Sequence, residues 1–484
     1  MAEVIPIEGC ASCAPLIAAL RAENAELRSR VGQLENQVRE LLERANQNSS
    51  NSHLPPSSNR PGTAPPKQSK DPSGRRRGGQ PGHPGKAREL LPVEEVDEVV
   101  ECKPSHCKDC GAELQGHDCE PLRHQVTEIP PIRPKVTEYQ LHSLCCDSCL
   151  SLTRASLPPG VPEGAFGPRL QAIVSVASGS YQLSKRKIEL MLHDFFGAKA
   201  SVGSIVRLQQ STSRALEAPV EEAKQYVQSQ PQANMDETSW KEGPKSKAWV
   251  WVLVSDLVAV FAVQANRSTK AAKSLLGGFA GVLGTDRLKS YNFLALLRHQ
   301  FCWAHLKRDF IKIRERGGCS APIGEGLLSC HKRLFEALRR ARADNITWST
   351  FQSYCSPIRL ELRRWLQQGA KCADPKTAGT CRELLDRETA LWVFVRVRGV
   401  QPTTTISEQA LRQAVLWRKI SFGTQSRDGS LFVERMLTVV HTLRLQKRNV
   451  LEYVTAACEA ALHHRPAPSL LPGSIGSHAL KRTG

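Results

Sequence analysis

AWVWVLVSDLVAVFAV (Ala248–Val263) is the most apolar run of the sequence, and Ser255-Asp256 interrupts it near its middle. That interruption leaves it short of a membrane span. β-branched and aromatic residues crowd both halves, so Ala248–Val254 and Val258–Val263 are predicted to be two strands joined by a tight polar turn, a β-hairpin. Outward from it, a short strand ending at Asp236 in NMDETSW precedes the hairpin, and another, GVLGTD, ends at Asp286. From about Gly167 to this region the pattern is helical, and from Phe301 to about Arg398 it is helical and Arg-rich. The expected core is therefore α/β with a large helical segment following it.

Asp236 and Asp286 each follow a short apolar stretch, where a sheet delivers side chains to a shared edge. Two such carboxylates can bind one metal ion. Mg2+ prefers carboxylate and water oxygens, and paired ions stabilise the attacking and leaving oxygens of an in-line phosphoryl displacement. A third carboxylate is needed for the second ion. Taken singly, each Asp is more often a turn or cap residue. Glu408 in TTTISEQALRQAVLWRK (Thr403–Lys419) has two readings as well. Thr405 and Glu408 fit a capping box, in which Glu408 reaches back to the Thr405 N–H. Otherwise the same carboxylate, at the start of a helix, points at metal.

At 484 residues the chain has room for about three domains. Its 66 Lys and Arg against 47 Asp and Glu leave a net charge of +19, a field that attracts polyanions and puts nucleic acid first among partner classes. MAEVIPIEGCASC does not read as a signal peptide, so the 16 cysteines are expected reduced or metal-bound and the protein soluble and cytoplasmic. Two C-x-x-C pairs, Cys107 with Cys110 and Cys146 with Cys149, can each clasp one edge of a tetrahedral Zn2+, with Gly111 suited to the turn of a zinc knuckle. Cys102, Cys119 and Cys145 are competing thiols, and buried metal-free cysteine is the alternative. Cys10 and Cys13 have no second pair near them.

Leu20, Leu27, Leu34 and Leu41 occupy one heptad position, with Ile17, Asn24, Val31 and Val38 at the other. This pattern predicts a parallel coiled coil and homodimerisation or a higher oligomer, the single Asn fixing register. The Pro-, Gly- and Ser-rich stretch after Asn46 cannot bury a core. It carries Arg75, Arg76 and Arg77, which either follow a DNA backbone or lie in a plain solvated linker. In LSKRKIELMLHDFFGAKASVGSIVRLQQ, a helix opened by Ser184, a break at Gly197 and a second helix opened by Ser201 resemble a helix-turn-helix. Lys185, Arg186 and Lys187 would then contact phosphates, with Ser204 and Arg207 on the second helix. Arg418 and Lys419 in RKISFG are further candidates to hold DNA. In CWAH, Cys302 and His305 lie one helical turn apart, as half of a metal site or as residues that pack and bond internally.

GGQPGHPG, the two C-x-x-C pairs, DET at Asp236, TDRLKSYN, CWAHLKRDF and the long stretch from SEQALRQAVLWRK to LQKRNVLEYV occur in the order seen in transposases of the insertion sequence 66 family, which the chain resembles over most of its length. The resemblance implies an RNase H-like catalytic domain with an Asp, Asp, Glu triad, here Asp236, Asp286 and Glu408, binding Mg2+ or Mn2+. It implies DNA partners, the element ends and the target, other element-encoded proteins, nucleoid association and no membrane. The chain divides on this reading into a coiled coil (14–46), a basic disordered linker (47–95), a zinc-binding domain (96–160), a helix-turn-helix-like region (161–228), the catalytic domain (229–455) with a helical insertion at about 301–398, and a tail (456–484). Family members typically carry two Asn and two small residues before Glu-Arg, whereas this chain has Thr404-Thr405-Ile406-Ser407 before Glu408-Gln409. A non-catalytic DNA-binding protein and a metal-dependent nuclease without strand transfer are the competing functions.

Overall fold

The computed structural model describes residues 14–47, 52, 88–244 and 246–473. They divide into two compact units, a smaller one within Pro66–Glu138 and Met191–Lys199 and a larger one holding the rest. The boundary after Glu138 places Cys107 and Cys110 in the smaller unit and Cys146 and Cys149 in the larger.

The chain starts as one helix, α1 (Ala14–Asn46). Leu20, Leu27, Leu34 and Leu41 lie exposed along it, as do Val31 and Val38. A short antiparallel hairpin of β1 (Ser143–Cys145) and β2 (Leu152–Arg154) precedes four helices, α2 (Pro168–Gly179), α3 (Lys185–Phe196), α4 (Val202–Ala215) and α5 (Glu217–Gln228). Ser184 Oγ accepts the Lys187 N–H at 3.3 Å, Gly197 breaks the chain at φ +62°, and Ser201 caps α4 by accepting the Ser204 N–H at 3.2 Å. Each cap satisfies a helix-end donor that would otherwise be orphaned.

The sheet has five strands, β3 (Gln232–Glu242), β4 (Ser246–Val254), β5 (Ala259–Gln264), β6 (Val282–Thr285) and β7 (His299–Phe301), with α6 (Thr269–Leu276) between β5 and β6. Their order is β5-β4-β3-β6-β7. The first three are antiparallel, β6 runs parallel to β3, and β7 parallel to β6. The expected hairpin is β4–β5, closed where Ser255 N–H donates to Val258 O at 2.9 Å. Asp236 does not end its strand. β3 continues to Glu242 because every residue from Asn234 on pairs with β4, and Asp236 sits opposite Val252. The alternation of Glu237, Ser239 and Lys241 with Thr238 and Trp240 hid this half of the strand, which has no continuous apolar run.

Helices α7 (Trp303–Glu315), α8 (Ser320–Arg342), α9 (Trp348–Gly369), α10 (Pro375–Asp386) and the single turn α11 (Val393–Arg396) fill the segment between β7 and the Glu408 helix. They build a core of their own around Trp303, Phe310, Leu334, Phe351 and Trp392. Burying one such large apolar side chain contributes roughly 1.5–3 kcal/mol, so this segment has its own cohesion. The chain then returns with α12 (Thr405–Ser421), α13 (Arg427–Leu445) and α14 (Val450–Leu462). Residues of α12 and α13 join the sheet's main core with Trp251, Phe261 and Met235. Packing continues past residue 456, since α14 runs to Leu462 and Leu470 is fully buried.

Candidate active site

β3 and β6 run side by side and parallel, with Asn234 paired to Gly284. Two residues beyond that pair stand Asp236, on β3, and Asp286, just past the end of β6. A Cβ on Gly284 would come within 2.2 Å of Asn234 Oδ1, so glycine here leaves room for the buried Asn234 side chain. Asn234 is buried and its Oδ1 has no hydrogen-bond partner. By strand alternation it lies on the same face of β3 as Asp236.

Asp236 Oδ1 accepts the Glu237 N–H at 2.8 Å. Burial, and then the charges of Glu237, Asp286 and Glu408, hold its carboxyl well above the usual range. Asp286 is also raised, chiefly by burial, although its Oδ1 accepts the Leu288 N–H at 2.9 Å. Carboxylates that oppose one another's ionisation in this way favour a cation between them.

The Asp286 backbone is fixed by a chain of hydrogen bonds the sequence did not disclose. Thr285 Oγ1 donates to Asp286 O at 2.6 Å and lies 2.7 Å from His299 Nε2. Arg387 reaches His299 Nδ1 at 3.4 Å, so Nδ1 is the acceptor and Nε2–H donates to Thr285. His299 is fully buried, and burial followed by the Arg387 charge brings its pKa down to about 3. The next residue, Arg287, spans Asp309 of α7 at 2.9 Å and Glu383 of α10 at 2.7 Å, joining the Asp286 loop to the helical segment.

Glu408 is not a cap. The N-cap of α12 is Thr404, one residue earlier than the capping box requires, so Glu408 is the fourth helical residue and Ser407 Oγ bonds Thr404 O instead, at 2.8 Å. Its carboxylate turns to α7, where Arg308 NH2 lies 3.3 Å and His305 Nδ1 3.6 Å from Oε1. The N-terminus of α7 abuts that of α12: Thr404 N–H donates to Cys302 Sγ at 3.3 Å and Trp303 N–H to Pro402 O at 2.9 Å. Cys302 thus pins the start of the Glu408 helix, and His305 lies beside Glu408, within a motif the sequence left open between metal and packing. Burial, Arg308 and Arg287 lower the His305 pKa to about 4, and Nδ1 has no hydrogen-bond partner.

Beside Asp236, buried Glu237 accepts from Tyr291 Oη–H and stands 2.6 Å from an Arg267 nitrogen. Arg267, Asp286, Arg287, His305, Arg308 and Lys312 line an open cleft of about 420 Å³. Four cations thus flank one of the predicted carboxylates.

Other predicted residues are dispersed. Lys185, Arg186, Lys187, Arg207 and Lys419 are exposed. Arg418 is committed to β3, donating to Thr238 Oγ1 at 3.2 Å and to Ser239 O at 2.5 Å. Arg75, Arg76 and Arg77 lie outside the described residues. The two C-x-x-C turns share one hydrogen-bond pattern. Gly111 N–H donates to Cys107 O at 2.9 Å and Leu150 N–H to Cys146 O at 2.8 Å, and both donors have positive φ. Backbone N–H groups of Cys110 and Asp109 lower the Cys107 thiol, and the Ser151 hydroxyl lowers that of Cys149.

Among the described residues, no group of three His, Cys, Asp or Glu is gathered as a metal site, and no helix is long and apolar enough to cross a membrane. Residues 163–430, more than half of the chain, match the family model described as Transposase IS66 family. Residues 12–89 match one described as Family of unknown function (DUF6444). No curated protein matches the chain.

Proposed function

Because the chain belongs to the IS66 family of transposases, we propose that it cleaves the DNA ends of its element and joins them to target DNA by phosphoryl transfer, with Asp236, Asp286 and Glu408 as the catalytic carboxylates. The observation that carries this is the convergence of three elements: Asp236 lies on β3, Asp286 directly follows β6, the parallel neighbour of β3, and Glu408 lies on α12, which packs against β3. The strand order supports an RNase H-like domain in which the helices of 301–398 form an insertion between Asp286 and Glu408.

The donor set suits a hard cation. The three carboxylates, and the unpartnered Asn234 carbonyl on the same face of β3 as Asp236, offer only oxygen donors. Asp236, Asp286 and Glu408 would hold Mg2+ or Mn2+, which supplies Lewis-acid activation of the nucleophile and charge neutralisation at the leaving oxygen. The protein's own groups do the rest. Lys312 and the partly exposed Arg267 and Arg308 face the cleft beside Asp286 and would hold the DNA backbone there, making binding salt-sensitive. The Thr285–His299–Arg387 chain and the Arg287 bridges fix the Asp286 loop. Arg308 holds Glu408.

Each C-x-x-C turn presents a thiol pair that suits structural Zn2+, and the exposed Leu row of α1 supports homodimerisation through a coiled coil. Zinc content and light scattering of the full chain test these.

Incubation of the full chain with element-end DNA tests the reaction. We expect Mg2+-dependent nicking and joined products, each reduced at least a hundredfold in Asp236→Ala, Asp286→Ala and Glu408→Ala with DNA binding retained. A variant that cleaves like the parent removes that residue from the triad. Cut but unjoined DNA makes the protein a nuclease, and metal-independent binding without cleavage makes it a non-catalytic DNA-binding protein.

A further inference from the structure

Within the helical segment, Cys319 caps the start of α8 and Cys372 lies in the turn between α9 and α10. Fifty-three residues separate them in sequence, yet their sulfurs stand 2.6 Å apart. Cys319 is exposed and Cys372 half-buried. The turn around them is pinned on every side. Ser320 Oγ is 3.6 Å from Cys372 Sγ and 2.8 Å from Thr377 Oγ1. Arg316 donates to Thr377 Oγ1 at 2.8 Å, and Asp374 Oδ1 caps α10 by accepting the Thr377 N–H at 2.6 Å. Neither thiol touches the carboxylate site.

We propose that Cys319 and Cys372 are a dithiol that a low-molecular-weight disulfide oxidises to an intramolecular disulfide. The Cys319 thiolate attacks one sulfur of the reagent, forming a mixed disulfide and releasing one thiol. Cys372 then loses its proton and attacks Cys319 Sγ, closing the protein disulfide and releasing the second thiol. Two protein thiols and one external disulfide become one protein disulfide and two external thiols, so atoms and electrons balance. Cys319 is the attacking group by exposure and by its hydrogen bonds from the Cys372 thiol and the Asp374 N–H, which lower its pKa. The neighbouring thiols do not compete: burial pushes Cys330 and Cys355 up to about 12 and Cys381 up to about 11.

The test is oxidation of the full chain in a reduced/oxidised glutathione buffer, rapid alkylation, and peptide mapping by tandem mass spectrometry. Fragmentation must separate Cys319 from Cys330, since no Lys or Arg lies between them. Cys319 linked to Cys372 as the main oxidised form of the parent, reversed by dithiothreitol, supports the proposal. Cys372→Ser should then stop at a Cys319–glutathione adduct. Cys319 left unmodified in the parent, paired with another cysteine, or carried as a glutathione adduct while Cys372 stays alkylatable, overturns it.

Discussion

Arg308 of α7 reaches Glu408 of α12 across 100 residues of sequence, NH2 to Oε1 at 3.3 Å. Both side chains are partly exposed, so the ion pair contributes less than ~1 kcal/mol to stability. Its larger effect is on the position of Glu408 and on the charge of the cleft. Arg308→Ala is therefore expected to leave the unfolding midpoint nearly unchanged and to lower end cleavage at least tenfold. Arg308→Lys should recover DNA binding more than turnover, because an ammonium keeps the charge but not the guanidinium fork. Equal loss of binding and turnover in both variants would show that Arg308 only attracts DNA.

Asp236 carries a stability consequence of opposite sign to its catalytic one. Its folded pKa is raised by burial and by Glu237, Asp286 and Glu408. A raised carboxyl contributes stability that is present below about pH 3.9, its unfolded value, and is lost as pH rises through the folded pKa. At pH 7 without metal, the charged form is a cost to the fold. Asp236→Asn removes that charge and keeps an Oδ1 to accept the Glu237 N–H. We expect it to raise metal-free stability at pH 7, to abolish cleavage, and to remove most of the stabilisation that added Mg2+ gives the parent. Denaturant titrations with and without Mg2+ read all of this except cleavage, and a destabilised Asp236→Asn contradicts the argument.

The strands were legible where apolar residues run together, as in Ala248–Val263, and illegible where a strand alternates polar and buried residues, as from Glu237 to Glu242. Asp286 stood out because it follows a short apolar stretch, Asp236 because its strand was expected to end there rather than at Glu242, and Glu408 as a triad member only through the family resemblance. Their supports did not stand out, because no local pattern links Thr285 to His299, Arg287 to Glu383, or Cys302 to Thr404. Those contacts depend on tertiary placement of the helical segment. CWAHLKRDF did contain the signal, since His305 is followed at three- and four-residue spacing by Arg308 and Asp309, and all three line the cleft. The capping box at Thr405 failed by one residue: Thr404 is the N-cap, and its N–H is taken by Cys302 Sγ.

His299 makes the fold acid-sensitive. Its pKa falls from about 6.5 unfolded to about 3 folded. A depressed group contributes stability that is present above the unfolded pKa and is lost as pH falls toward the folded one, so the window is pH 6.5 down to 3. Between pH 7 and 5 this one residue should cost the parent on the order of 2 kcal/mol. His299→Gln, which does not titrate, is expected to be less stable than the parent at pH 7 and to show a flatter pH dependence. Urea midpoints at both values decide it; an unchanged slope would mean that His299 does not set the acid limit.

Gly284 and Asn234 form a pair in which one residue's size depends on the other's. A Cβ at position 284 would lie 2.2 Å from Asn234 Oδ1, and Asn234 is buried on a strand paired on both sides, so its short side chain has nowhere to swing. Gly284→Ala is expected to destabilise by roughly 1–3 kcal/mol through overpacking and to disturb Asp236, two residues further along β3, and Asp286, just past the end of β6. Asn234→Ala alone removes a carbonyl that has no partner and should be close to neutral. The double variant should then be more stable than Gly284→Ala, with a coupling of roughly 0.5–3 kcal/mol in the mutant cycle. Additive effects would place the Gly284 constraint elsewhere. If the double variant also recovers stability but not Mg2+-dependent cleavage, Asn234 Oδ1 has a role at the metal that its place on the Asp236 face of β3 already suggests.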